Sequence, residues 1–368
     1  TLTTPERASM MSVRITDLLF PVLGAIPVYL YAQTFDPDKK NSFRTLWTIL
    51  IAGLLAVGSG NLLRMVGDFQ KNSFALPPFL FFTYFLYESF RNPQWKHYFM
   101  ALLFFTLVCL THLGTASITI AFATLFLLFY AFQKGDREKI TAVGVFLLVM
   151  ALSTLAIVYI YDPVRVGRIL FTVCNPFRLF SQSILLHGLG KQGGTGELVL
   201  GNLLGMVGIF TIVRMKSTWD AETKTLLLTC SILTLFLSSP FIHADLFSRF
   251  VLMAIFPGLI PFTYFVQNHR WGAILGGIVT LTVLIHTIAF SMHIQPTLSK
   301  SAYDELVQFK SLLPPGRNLI LAKHRMEWWV AWTMETQIAR SPQIVLDAWD
   351  RYDAAFEIVE IAEGANDY

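Results

Sequence analysis

The stretch that decides the fold is YFMALLFFTLVCLTHLGTASITIAFATLFLLFYAF, residues 98–132. As one helix its 35 residues would be about 52 Å long. The hydrocarbon core of a bilayer is only about 30 Å thick. A break at Thr111-His112-Leu113-Gly114 resolves the run into two short antiparallel spans joined by a tight turn. A chain built from such units is a multi-span helical membrane protein.

Composition agrees with that class. Charged residues make up 14% of the 368, against about 25% in ordinary soluble domains. Hydrophobic residues make up 54% and mean hydropathy is +0.55. Soluble folds, disordered chains and disulfide scaffolds are poor fits to these values. Cys109 and Cys230 sit in apolar runs, Cys174 sits in a loop, and no Cys/His metal spacing occurs. The net charge of +4 divides unevenly. Residues 1–293 hold 21 Lys/Arg and 13 Asp/Glu, net +8; residues 294–368 hold 7 and 11, net −4. A basic membrane body with an acidic tail gives no reason to expect nucleic acid as a partner; lipid is the expected one.

Working outward, ten spans can be drawn: 15–35, 45–63, 74–90, 97–112, 115–132, 140–161, 198–214, 224–239, 249–267 and 271–293. The predicted fold class is therefore an all-α polytopic membrane protein of about ten transmembrane helices, with a small α/β C-terminal segment. The connections 36–44, 91–97 and 133–139 carry three, two and three basic residues. Arg214, Lys216, Lys224 and Arg270 fall on the same side, whereas the turns at 111–114 and 240–248 carry none. The positive-inside bias puts the basic connections in the cytoplasm. It puts both chain ends and the 162–197 loop outside, most simply at the cytoplasmic membrane of a prokaryote.

Residues 1–14 read as a polar external segment without the pattern of a cleaved leader. In the long loop, 165–186 has the composition of an interfacial helix, with Arg165, Arg168 and Arg178 near headgroups. GKQGGTG at 190–196 lacks the GxxxxGK[ST] arrangement and reads as a linker. Beyond the 15–293 membrane domain, 294–368 reads as a small soluble external segment. Its predicted elements are a helix over 301–313, a turn at Pro314-Pro315-Gly316, a strand over 318–322, a Trp-rich helix over 326–339, and short elements at 344–349 and 355–361.

Ionisable residues at span ends are the candidate site residues, because burying them unpaired is expensive. SSPFIHADLFSRF at 238–250 places His243, Asp245 and Arg249 within seven residues at the start of a span. The planar Arg249 fork suits a phosphate, with His243 beside it and Asp245 orienting it or a polar substrate; interfacial snorkelling with a local Asp–Arg pair is the plainer alternative. His112 lies at an external turn beside Thr111 and Thr115, as a cleft residue or a wet interfacial histidine. Asp68, between Arg64 and Lys71, is a catalytic or metal-binding carboxylate, or part of a salt-laced turn. Gly53, Gly58, Gly60, Gly272, Gly276 and Gly277 read as helix-packing positions.

The order of these pieces carries a resemblance. GLLAVGSGN, the GDFQKN turn, THLGTASITIAFAT, a long external loop, HADLFSRFVLMAIFPGLIP and the tail beginning YDELVQFKSLLPPGRNLILA resemble the later spans and external tail of the multi-span GT-C glycosyltransferases that use polyprenyl-phosphate sugars. The resemblance implies sugar transfer on the outer face, often with a divalent cation (Mg or Mn). It also implies an acidic residue or pair in the first external loop. No such pair precedes residue 64, so by that pattern the catalytic loop lies upstream, on a membrane protein partner, or is lacking. Arg249 and His243 take the lipid phosphate by this analogy, and Asp68, Asp245 and His112 are the catalytic candidates. A transporter or lipid-handling protein and a non-catalytic assembly subunit are the rival classes.

Overall fold

The computed structural model describes residues 19–20, 22–36, 42–62, 65, 70–161, 163, 167, 195–215, 220–292, 300–322, 330, 333–334, 337–339 and 351–357. The chain divides into two compact units, Thr1–Ser291 and Met292–Tyr368. In the first unit the long helices are α1 (Ala25–Thr34), α2 (Ser42–Gly58), α3 (Gln70–Arg91), α4 (Trp95–Thr111), α5 (Leu113–Lys134), α6 (Arg137–Tyr161), α7 (Thr195–Arg214), α8 (Ala221–Leu237), α9 (Ala244–Asn268) and α10 (Gly272–Ser291).

The deciding stretch breaks at one residue. Helix α4 ends at Thr111, His112 is extended (φ −155°, ψ 117°), and α5 starts at Leu113. The imidazole explains the restart. Its Nδ1 accepts the Thr115 backbone N–H at 3.0 Å, capping one of the unpaired N–H groups that every helix N-terminus exposes. Gly114 is required beneath the ring, since a Cβ there would lie 2.6 Å from His112 Cε1.

The expected count of ten spans is not met. Among the described residues five helices are long and apolar enough to cross a membrane: Phe43–Leu62, Gly114–Lys134, Gly196–Arg214, Leu246–Asn268 and Gly272–Ser291. Helices α1, α3, α4 and α8 fall short for physical reasons. Helix α1 has 10 residues, and α4 and α8 have 17 each. At 1.5 Å per residue these reach about 15 and 26 Å, less than the hydrocarbon core. Helix α8 also opens with Glu222 and Lys224, and α3 carries Pro77 and Pro78 among its polar and aromatic residues. Helix α6 runs over 25 residues, and Ile140–Val149 is the apolar stretch of it among the described residues. An expected interfacial helix over 165–186 lies outside the described residues apart from Gly167, and Thr195 and Gly196 open α7 instead of closing a linker.

Helix α9 is the hub. It packs on α1, α2, α3, α7, α8 and α10, and residues 251–267 form an unbroken buried run. Close approach comes from missing side chains on α7. A Cβ on Gly201 would lie 2.7 Å from Ser238 Cβ, and one on Gly208 would lie 2.0 Å from Ser231 Oγ. Among the glycines marked in the sequence, Gly58, Gly272 and Gly276 are equally tight, whereas Gly53 has nothing within 4 Å. Without a hydrophobic drive between helices in lipid, such packing supplies the cohesion.

The second unit is a small α/β element. Helix α11 (Lys300–Leu312) leads through the Pro314-Pro315-Gly316 turn to β1 (Asn318–Leu321), the middle strand of a parallel sheet with β2 (Gln337–Ala339) and β3 (Ala354–Glu357) in the order β2-β1-β3. Ala302 and Leu306 of α11 pack with Ile320, Ala322, Val330 and Met334. The turn is held by Asp353, whose carboxylate accepts the Arg317 backbone N–H at 2.8 Å. Two bonds from Arg317 hold this exposed carboxyl below the usual carboxylate range. The Trp-rich helix expected to run to residue 339 is cut short, since Gln337–Ala339 is strand. Trp328, Trp329 and Trp332 lie outside the described residues, as does the element expected at 344–349.

Candidate functional site

Helix α9 opens where the sequence placed its densest polar cluster. The His243 carbonyl accepts the N–H groups of Leu246 and Phe247, both at 3.0 Å, and so starts the helix. His243 is half-buried just before α9. Arg249 sits on its second turn and is the last exposed residue before the buried run begins at Val251. Asp245 is in the first turn; its side chain, like the whole of Asp68, lies outside the described residues. One residue here was missed by sequence reasoning. The helical run breaks at Ser59, and Asn61, which is buried, donates to the carbonyls of Val251 and Leu252 at 3.2 and 3.3 Å. A lone Asn in an apolar, glycine-rich run was the available signal.

His112 does not share a helix with that cluster. It caps α5, and α8 packs on both α5 and α9. Because Nδ1 accepts a backbone N–H, the ring is neutral in this arrangement and any proton it carries is on Nε2.

The richer polar network lies at the opposite end of these helices, where the basic connections gather. The Thr223 hydroxyl donates to Asp220 Oδ2 at 2.8 Å and therefore accepts from the Tyr87 hydroxyl, also at 2.8 Å. This gives a directed chain from α3 to the start of α8. Glu222, buried on the first turn of α8, pairs with Lys134 at the end of α5 and accepts from Tyr130 at 3.5 Å. Glu88 and Arg91 pair at 3.5 Å. Gln267 donates to Thr45, which donates to Asp36. The Arg44 guanidinium donates to the His269 carbonyl, bridging α2 to the turn after α9. The His269 ring lies against Phe265 and Phe210, with centroids 5.1 and 5.3 Å away. Burial, then the charges of Arg214 and Arg44, hold it below the usual histidine range. The pairs between helices fasten them to one another, Glu88–Arg91 lies within α3, and none of the named groups is left as an isolated buried charge.

A cavity of about 250 Å³ lies at this same end, between the last turns of α3 and the first turns of α4 and α6. Its lining is aliphatic and aromatic except for Ser89 and Tyr98. It does not include Arg249. Among the described residues no group of three or more His, Cys, Asp or Glu side chains is placed to hold a metal ion.

These features define a polytopic helical membrane protein with a small C-terminal α/β unit. No protein-family model matches the chain, and no curated protein is significantly similar to it.

Proposed function

We propose that the protein acts on a lipid-linked phosphate at the membrane surface, transferring a sugar from a polyprenyl-phosphate donor. The observation that carries this reading is the position of Arg249. Arg249 is exposed on the second turn of the most buried of the five candidate spans, a place where a headgroup phosphate and a lipid chain would reach the protein together. In the reaction a carboxylate takes the proton of an acceptor hydroxyl. The acceptor oxygen then bonds to the anomeric carbon while the bond from that carbon to the phosphate oxygen breaks. The polyprenyl phosphate leaves with the electron pair, and Arg249 with His243 stabilises its charge. Asp68 and Asp245 are the carboxylates on which the base role rests, and His112 is a wall of the cleft.

The test uses the full chain in membranes with a radiolabelled polyprenyl-phosphate sugar, following release of polyprenyl phosphate. Arg249→Ala is expected to lower turnover by about 10²-fold, the scale of losing one donor to a developing charge. Asp68→Ala and Asp245→Ala identify the base. Unchanged turnover in all three variants, or none in the unsubstituted protein, overturns the reading.

A further inference from the structure

We propose that the crevice between α3, α4 and α6 binds one acyl chain of a glycerophospholipid, in the leaflet at the basic-connection end. Its lining gives the ligand class. Phe82 and Leu86 of α3, Phe99 and Leu102 of α4, and Phe146 and Leu147 of α6 form an apolar wall. The volume of about 250 Å³ is below the roughly 300–1,000 Å³ of small-molecule pockets, which suits a single chain. Along α3 the lining runs from Phe82 to Ser89, seven residues or about 10 Å, parallel to the helix. Helix α6 packs chiefly on α5, and its outer face, including Val145, Leu148 and Leu152, is exposed. In a membrane protein that face meets lipid, so the crevice opens onto hydrocarbon rather than water.

The polar groups place the head of the ligand. The Ser89 hydroxyl already donates to the Leu86 carbonyl at 2.7 Å. The Tyr98 hydroxyl is the lining's other polar group, on the first turn of α4, at the helix end where aromatic residues meet headgroups. Lys96, two residues earlier, and Arg137, at the start of α6, are both exposed and supply cations for a phosphate. Tyr98 donates to a glycerol-ester or phosphate oxygen, and the chain runs inward past Leu102 and Phe82. This site is independent of the transfer reading. Arg249 is nineteen residues (268 − 249) from the other end of α9, about 28 Å away along the helix.

The experiment reconstitutes the full chain in nanodiscs containing phosphatidylglycerol with a photoactivatable diazirine in its acyl chain, then maps the labelled peptides. Label is expected on residues 98–102 and 142–147 at about tenfold the density found on the lipid-facing surface of α10, a preference of 1.4 kcal/mol. Ala142→Trp, which fills the crevice from its exposed side, is expected to bring that label down to the α10 level. Tyr98→Phe is expected to lower it about threefold, one net hydrogen bond. Leu148→Trp, on the outer face of the same helix, is expected to leave it unchanged. Equal label on α6 and α10 in the unsubstituted protein means annular contact only and overturns the proposal. So does label that persists in Ala142→Trp. A diazirine-bearing polyprenyl phosphate that outcompetes phosphatidylglycerol at equal mole fraction overturns the assignment to an acyl chain.

Discussion

The Lys134–Glu222 pair offers the sharpest test of how the membrane unit holds together, because its two members are buried so differently. The Glu222 side chain is 6% exposed and that of Lys134 is 49%. Replacing Lys134 by Met strands a carboxylate that cannot reach water, with the Tyr130 hydroxyl at 3.5 Å as its remaining described partner. Unpairing a buried charge costs about 3–5 kcal/mol, and the half-exposed lysine places this case near 3 kcal/mol. Replacing Glu222 by Gln removes the buried charge itself. The freed ammonium then extends to solvent, and the cost falls to about 1 kcal/mol, as for exposed pairs. The double variant leaves no charge unpaired and is expected to lose about 1 kcal/mol as well, a coupling of about 3 kcal/mol across the cycle. Unfolding of the purified protein in mild detergent, titrated with denaturing detergent, reads all four corners. The reasoning is refuted if Glu222→Gln is as damaging as Lys134→Met, or if the double variant shows the plain sum.

Further outcomes follow from other sites. Gly208→Ala pushes a Cβ to 2.0 Å from Ser231 Oγ and 3.0 Å from Pro261 Cβ, and is expected to cost about 1–3 kcal/mol in the same assay. Gly53→Ala meets no atom within 4 Å and is expected to stabilise α2 by about 0.5–1 kcal/mol. His112→Ala is expected to lose about 1 kcal/mol of capping and His112→Asn to restore it, a contrast that thermal melts resolve. The depressed His269 makes stability fall with acid. The folded state resists protonation, so the loss begins as pH drops below the unfolded value of about 6.5 and is complete below the folded value. Arg214→Gln is expected to raise the His269 midpoint in an NMR titration, and an unmoved midpoint would count against the assigned cause. Asp353 has the same sign lower on the scale. Its contribution is present above about 3.9 and lost as pH falls through its lower folded value, and Asp353→Asn is expected to remove that acid-sensitive step from an unfolding titration.

What could be read from the sequence depended on whether the signal was local. The hairpin at 98–132 was legible because Thr111-His112-Leu113-Gly114 carries its own cap and its own space for the cap. The number of spans was not. An apolar run gives the length available to a helix but not where polar ends and prolines stop it, and α1, α4 and α8 end short. Strand β2 has three residues, too few for any period to show, and it was absorbed into the helix expected over 326–339. The start of α9 was legible only approximately: Pro240 and the polar cluster marked a turn, but the span was expected to open at Arg249, and the helix opens five residues earlier at Ala244. The network at the other end was not, because its partners are distant along the chain. Lys134 meets Glu222 across 88 residues, Tyr87 meets Thr223 across 136, and Arg44 meets the His269 carbonyl across 225. A single sequence holds the members of such pairs but not their pairing. Glu88 and Arg91, three apart on one helix, could be read as a unit.

The unbroken burial of α9 has a consequence for how the protein is made. During synthesis this helix leaves the insertion machinery after α1 to α8 and before α10, yet in the finished fold every residue from 251 to 267 is buried. Its Pro257 and Pro261 withhold backbone N–H groups, and Asn61 supplies bonds to the carbonyls of Val251 and Leu252. Those partners exist only inside a slot already formed by α2, α7 and α8. Helix α10 then closes over it, with Gly272 and Gly276 seated against Phe265 and Val266. A chain that ends between Asn268 and Gly272 therefore carries its central helix with one wall missing.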